Sequence, residues 1–130
     1  ARKDPRRWPG SAALSEPETR FLNDQVERFQ PQLVVSIHAP YGVLDFDGPV
    51  TPPRQLGALR LERVGVFPGS LGHFGGLQKG LPVVTIELSN ALRMPNEAEQ
   101  RDMWADLLRW IDARLPSDVR EASGKAGPAS

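Results

Sequence analysis

Two residues whose side chains could do chemistry lie at the ends of apolar segments in this sequence. His38 follows "LVVSI", and Glu87 lies in "LPVVTIELS", residues 81–89. Both segments have the β-branched, apolar composition of buried strands, and residues 33–38 read as a central parallel strand covered on both faces. The imidazole of His38 could be a metal ligand, an acid or base, or a hydrogen-bonded end to the strand. Glu87 could be catalytic, a buried carboxylate satisfied by backbone donors, or a solvated charge at a strand edge.

An imidazole and a carboxylate at one rim of a sheet would suit zinc-dependent hydrolysis. The metal polarises a carbonyl and lowers the pKa of its bound water, and a nearby carboxylate accepts the proton of that water. Open α/β sheets also hold their ligands at such a rim. We therefore expect the strands around 33–38 and 82–88 to share a sheet, with His38 and Glu87 facing the same cleft.

Two helices with N-terminal signals must support these strands. Ser15 and Glu18 have the spacing of a capping box at the start of "SEPETRFLNDQVERF", and Pro31 ends that helix. Asn96 and Glu99 make the same box for "PNEAEQRDMWADLLRWIDARL". The predicted apolar faces consist of Leu22, Val26 and Phe29 in the first helix, and of Met103, Trp104, Leu107, Leu108 and Ile111 in the second, with Trp104 and Trp110 packed on the sheet.

The segment between the two strands is rich in proline and glycine. Residues 39–57 read as a long ordered loop, residues 59–67 as a strand, and residues 68–80 as a turn system with a short helical turn from Ser70. Helix, strand, loop, strand and helix in this order predict a layered α/β domain.

The domain is predicted to occupy residues 15–115. Residues 1–14 read as an irregular approach to it, and residues 116–130, which are polar and small, read as a disordered tail.

Composition narrows the function classes. The 130 residues include 16 basic and 16 acidic side chains, so their net charge gives no reason to expect nucleic acid or an anionic membrane as a partner. No apolar run is long enough to cross a bilayer. The absence of cysteine excludes disulfides, thiolate metal ligands and a cysteine nucleophile. It also fits a reducing compartment, and we expect a cytoplasmic location.

Four blocks, in order along the chain, resemble the C-terminal half of zinc carboxypeptidases, especially the bacterial murein peptide amidase branch. They are "SEPETR", "VVSIHAPYGVLDFDGP", "PGSLGHFGG" and "LPVVTIELS", and the resemblance covers roughly residues 4–112. It implies a fragment of a three-layer α/β domain with a mixed central sheet and helices on both faces. It also implies that His38 is a zinc ligand and that Glu87 is the general base, so that the strand ends at His38 because the metal lies just beyond it.

Parts of the family's site have no match in this sequence. The family takes its other two zinc ligands from an H-x-x-E motif, but His73 is followed by "FGG" and has no glutamate three residues later. The Asn-Arg pair that grips substrate in the family is also missing, and the sequence begins just after the point where that pair would lie. A catalytic zinc takes three protein ligands and an open position. We therefore expect this chain to hold half of an active site and to be inactive alone.

The remaining candidate residues concern the substrate. Asp45 and Asp47 in "LDFDGP" could form Asx turns or could orient a cationic or zwitterionic substrate group, and Tyr41 is a third candidate contact. The resemblance implies a peptide substrate, in the amidase branch a cell-wall murein peptide cut beside a diaminopimelate residue. The alternative is a non-catalytic domain that keeps this fold and binds a peptide or another partner.

Overall fold

A three-stranded mixed sheet is the centre of the protein in a computed structural model, which describes residues 10–115. Its strands are β1 (Val34–His38), β2 (Val43–Asp47) and β5 (Val83–Glu87), in the order β1-β5-β2. β5 runs parallel to β1 and antiparallel to β2. The predicted strands at 33–38 and 82–88 are thus confirmed as neighbours in one sheet. Among residues 10–115, however, β5 is the central strand and β1 lies at the edge, so the expected central position of β1 is wrong within the described part of the chain.

The other elements are a short hairpin and three helices. The hairpin pairs β3 (Gln55–Leu56) with β4 (Leu59–Arg60). The helices are α1 (Pro17–Phe29), a π-helix (His73–Lys79) and α2 (Glu97–Arg114). Neither α1 nor α2 is long and apolar enough to cross a membrane.

Helices cover both faces of the sheet. Side chains alternate between the two faces of a strand, so Val84 of β5 faces one way and Val83 the other. Val84 packs in a buried core with side chains of α2, whereas Val83 lies against Gly75 of the π-helix. This arrangement has the predicted α/β class, with a mixed sheet between helical layers. The buried core consists of Leu44, Leu56, Leu59, Val84, Ile86, Leu107 and Trp110.

The two helix starts show one correct and one wrong prediction. Asn96 and Glu99 form the predicted capping box, since the Asn96 side chain accepts from the Glu99 N–H at 3.0 Å and Glu99 accepts from the Asn96 N–H at 2.8 Å. In α1 the N-cap is Glu16 rather than Ser15. Pro17 fixes the first helical position and disfavours helical backbone in the residue before it, so Glu16 is extended and Ser15 lies outside the helix.

The predicted apolar face of α1 is largely uncovered. None of the residues of α1 is buried, and Leu22 and Phe29 are exposed. The face of α2 is closer to the prediction, because Leu107 is buried and Met103 and Ile111 pack against the core. The predicted packing of Trp110 is confirmed, but its counterpart Trp104 is 58% exposed, and Leu108 is exposed as well.

The segment between β1 and β5 is more regular than its sequence suggested. Residues 39–57 contain β2 and β3 instead of a single loop. Conversely, the strand expected over 59–67 is reduced to Leu59–Arg60 plus one bridge from Leu61 to Leu44. The helical turn expected from Ser70 extends into the π-helix. The tail predicted at 116–130 and the first nine residues of the predicted approach lie outside the described residues.

The capping assignments give a test of the fold. Replacing Asn96 by Ala should lower the free energy of unfolding by about 1 kcal/mol, because the Glu99 N–H loses its acceptor. The matched control Ser15→Ala should change it by less than about 0.5 kcal/mol, because Ser15 does not cap a helix. Urea denaturation followed by circular dichroism measures both. Equal losses from the two variants would contradict the assigned helix starts.

Candidate active site

His38 and Glu87 lie side by side at the carboxyl ends of β1 and β5. They are register partners in the parallel ladder, so their side chains leave the same face of the sheet. The His38 Nδ1 atom lies 3.4 Å from Glu87 Oε1. The predicted meeting of an imidazole and a carboxylate at one rim of the sheet is therefore confirmed.

The two partners differ strongly in burial. The Glu87 side chain is 9% exposed, whereas that of His38 is 56% exposed. The second carboxylate oxygen of Glu87, Oε2, is buried and has no hydrogen-bond partner among residues 10–115. Leaving a buried carboxylate oxygen without a donor costs free energy, and such atoms call for a functional explanation. An unpaired oxygen of this kind is suited to accept a proton or a hydrogen bond from a bound molecule.

Ser36 is a member of the site that the sequence reading missed. Its hydroxyl lies 2.9 Å from His38 Nε2, so one ring nitrogen faces the hydroxyl and the other faces Glu87. A partner on the second nitrogen fixes the orientation of a histidine ring. The sequence could have predicted this contact, because Ser36 lies two residues before His38 and residues two apart in a strand share a face.

The turn after His38 returns the chain to the same sheet. The Ala39–Pro40 peptide is cis, and Gly42 has a φ of +70°, a conformation that favours glycine. β2 then runs back beside β5, with Val43 opposite Glu87. Tyr41, a predicted substrate contact, is exposed within this turn.

Asp45 and Asp47 belong to β2, so of the two alternatives given for them the Asx turns are wrong. They pair with Thr85 and Val83 of β5, which places both carboxylates on the face that carries Glu87. Burial raises the pKa of the Asp47 carboxyl above its usual value of 3.8, and the neighbouring Asp45 charge adds to the increase. The face of the sheet that carries Glu87, Asp45 and Asp47, called the site face below, is therefore acidic.

The π-helix packs closely against Asp47. A Cβ atom at Gly76 would lie 2.6 Å from the Asp47 Cβ and 2.8 Å from its carbonyl carbon, so only glycine fits without a backbone shift. His73, predicted to serve loop structure, is instead in the first turn of this helix, and its N–H donates to the Ser70 hydroxyl at 3.1 Å.

The donor set is incomplete for a catalytic zinc. Such a site uses three protein ligands, and residues 10–115 contain no group of three or more histidine or acidic side chains placed to hold a metal ion. His38 supplies one imidazole, and the buried Glu87 supplies a carboxylate beside it. The described residues alone thus do not fit the predicted metal.

One solved structure shares this architecture. The murein-tripeptide amidase MpaA from Escherichia coli O157 superimposes with a TM-score of 0.55 at 30% sequence identity, over 84% of this chain and 46% of the amidase. The chain thus spans about half the length of that protein and has part of its α/β fold, which supports the predicted resemblance. Comparisons with protein-family models and with curated proteins gave no match.

The raised pKa of Asp47 predicts a pH dependence of stability. Between pH 3.8 and the raised value, the folded state binds more protons than the unfolded state, so stability falls as the pH rises through this window. Asp47→Asn removes this penalty. The variant should unfold with a larger free energy than the wild type above the window, and the gap should close below pH 3.8. Urea titrations from pH 3 to pH 7 measure it, and a gap that widens in acid would contradict the assignment.

Proposed function

We propose that this chain carries part of the active site of a zinc-dependent peptidase or amidase of the metallocarboxypeptidase type. The observation that carries the proposal is the buried Glu87 carboxylate at the ends of two adjacent parallel strands, with one oxygen facing His38 and the other without a hydrogen-bond partner among residues 10–115. The shared fold with a murein-tripeptide amidase supports it.

In this proposal Glu87 is the general base. Its buried carboxylate accepts the proton of the water that attacks the scissile carbonyl, and its Oε2 atom has no hydrogen-bond partner among residues 10–115. Its low exposure keeps bulk water from competing for that oxygen. Proton transfer by a positioned side chain of this kind contributes on the order of a hundredfold to ten-thousandfold to a rate.

His38 is proposed as one zinc ligand, with Ser36 orienting its ring from the other nitrogen. A bound zinc would polarise the scissile carbonyl and acidify the attacking water. Because the described residues lack a complete ligand set, the other ligands would have to come from polypeptide equivalent to the part of the amidase that this chain does not span.

The proposed substrate is a murein peptide, cut beside a diaminopimelate residue. The diaminopimelate side chain ends in a zwitterionic pair of an amino and a carboxyl group, and Asp45 and Asp47 present carboxylates, which suit its amino group, on the same face of the sheet as Glu87. Carboxylates suit such a cationic group. Tyr41, exposed in the turn after His38, is proposed as a further contact.

A second candidate is a non-catalytic domain that binds a peptide or another partner on the same face. The incomplete ligand set within residues 10–115 favours this alternative. The two proposals differ in whether Glu87 is needed for turnover or only for binding.

The proposed chemistry predicts that the 130-residue chain alone binds zinc weakly and hydrolyses nothing. Joined to the part of an amidase-like domain that this chain does not span, it should bind one zinc and cleave a diaminopimelate-containing murein peptide. In that complete form, Glu87→Gln should lower kcat by roughly a hundredfold to ten-thousandfold, because the proton acceptor is lost. Zinc content by mass spectrometry and peptide cleavage by chromatography are the measurements.

The matched control is Glu97→Gln, which changes an exposed carboxylate in the first turn of α2, beyond the opposite face of the sheet. It should leave kcat unchanged. Stoichiometric tight zinc in the short chain, or full activity of Glu87→Gln in the complete form, would show that the base and the ligand are misassigned. Peptide binding without turnover in the complete form would favour the non-catalytic candidate.

A further inference from the structure

Ser36, His38 and Glu87 form a continuous line of polar contacts on the site face. The Ser36 hydroxyl lies 2.9 Å from His38 Nε2, and His38 Nδ1 lies 3.4 Å from Glu87 Oε1. The three side chains share a face because Ser36 and His38 are two residues apart in β1 and Glu87 is the register partner of His38. One imidazole therefore joins a hydroxyl on one side to a carboxylate on the other.

This order of groups is the one that activates a serine nucleophile. In serine hydrolases the imidazole accepts the hydroxyl proton at Nε2, and a buried carboxylate beside Nδ1 holds the ring and stabilises the imidazolium that forms. Such a triad is recognised by the geometry and roles of its members, and glutamate takes the place of aspartate in some of them. Ser36, His38 and Glu87 use the same ring nitrogens in the same order.

The burial of each group suits its part in such a triad. The Glu87 side chain is buried, so little water screens its charge from the imidazole. The His38 side chain is exposed and Ser36 is half-buried, which lets a small molecule approach them from the rim of the sheet. The 3.4 Å separation of His38 and Glu87 is longer than a hydrogen bond, and catalytic contacts of this kind commonly tighten when a substrate binds.

The incomplete zinc ligand set allows these groups a second role. Among residues 10–115 no three histidine or acidic side chains are placed to hold a metal ion. The contacts that His38 does make are those of a base beside a nucleophile, with a hydroxyl on Nε2 and a carboxylate next to Nδ1. Taken alone, the described residues therefore fit a metal-free nucleophile better than a zinc site, and this role goes beyond the zinc chemistry proposed for a complete domain.

We propose that Ser36 is a nucleophile in the metal-free chain, activated by His38 and Glu87, which accepts an acyl or phosphonyl group from a small electrophile such as an aryl ester or a fluorophosphonate. With a fluorophosphonate, a bond forms between Ser36 Oγ and phosphorus, and the bond between phosphorus and fluorine breaks. Fluoride leaves with the electron pair of that bond, and the hydroxyl proton passes to His38 Nε2 and then to solvent. With an aryl ester, the new bond forms to the carbonyl carbon and a phenolate leaves.

The proposed electrophiles have leaving groups that depart as stable anions. A peptide amine is a much poorer leaving group than fluoride or a phenolate, because it must gain a proton before it departs. Transfer of one group to Ser36 is therefore compatible with a short chain that cleaves no peptide.

The test is the labelling of the full 130-residue chain by a biotin-tagged fluorophosphonate, in the presence of EDTA so that no metal ion contributes. Mass spectrometry of the intact chain should show a single label, and mass spectrometry of its peptides should place that label on Ser36. In a denaturing concentration of urea the labelling rate should fall by roughly a hundredfold or more, because unfolding removes the positioned base.

Variants separate the three roles. Ser36→Ala should abolish labelling, and His38→Gln should lower its rate by roughly a hundredfold or more, because the proton acceptor is lost. Glu87→Gln should lower the rate by roughly tenfold or more, because the imidazolium loses its carboxylate. The matched control Ser89→Ala changes an exposed serine just beyond β5 and should leave the rate unchanged.

Four results would each overturn the proposal. They are no label on the folded chain, a label on a residue other than Ser36, an equal rate in urea, and an undiminished rate in His38→Gln. The first three are read on the wild-type chain, so they decide the question even where a variant fails to fold.

Discussion

The parallel pairing of β1 with β5 is the constraint on which the site depends. The register places His38 opposite Glu87, and a shift of one residue would send one of them to the opposite face. The turn through Pro40 and Gly42 contributes to this arrangement, because it returns the chain as β2 along the other side of β5. Glu87 thus lies on the central strand, with His38 on one neighbour and Val43 on the other.

Because side chains alternate along these strands, the core residues lie on one face of the sheet and the residues of the candidate site lie on the other. Val84, Ile86 and Leu44 turn toward α2 and form the dry core with Leu107 and Trp110. The residues between them point to the site face. Asp45, Asp47 and Glu87 therefore lie together on one face of the sheet, although the other face is apolar. Burial of Glu87 follows from the same arrangement, and its unpaired Oε2 is a cost that the packed core must offset.

Strong local signals carried the correct predictions. The apolar runs that end at His38 and surround Glu87 predicted both strands, and Asn96 with Glu99 predicted the start of α2. Where a local signal competed with another, prediction failed. Pro17 displaced the cap expected at Ser15, and the prolines around β2 hid the alternation of the apolar Leu44 and Phe46 with the acidic Asp45 and Asp47. Ser36 was missed although it lies two residues before His38 and therefore shares a strand face with it.

The edge position of β1 within residues 10–115 could not be predicted from its sequence, because the apolar composition of the strand is typical of a central strand. The composition of Val35 and Ile37 suits burial, whereas Ile37 is largely exposed in the structure.

A crystal structure of the chain grown with millimolar zinc, with data collected at the zinc absorption edge, tests whether His38 binds the metal beside Glu87. The chain has only two histidines, His38 and His73, so the anomalous signal can discriminate between them. A zinc peak is expected beside the His38 imidazole, with the Glu87 carboxylate on the same face of the sheet and next to it. A peak at His73, or His38 and Glu87 on opposite faces of the sheet, would contradict it.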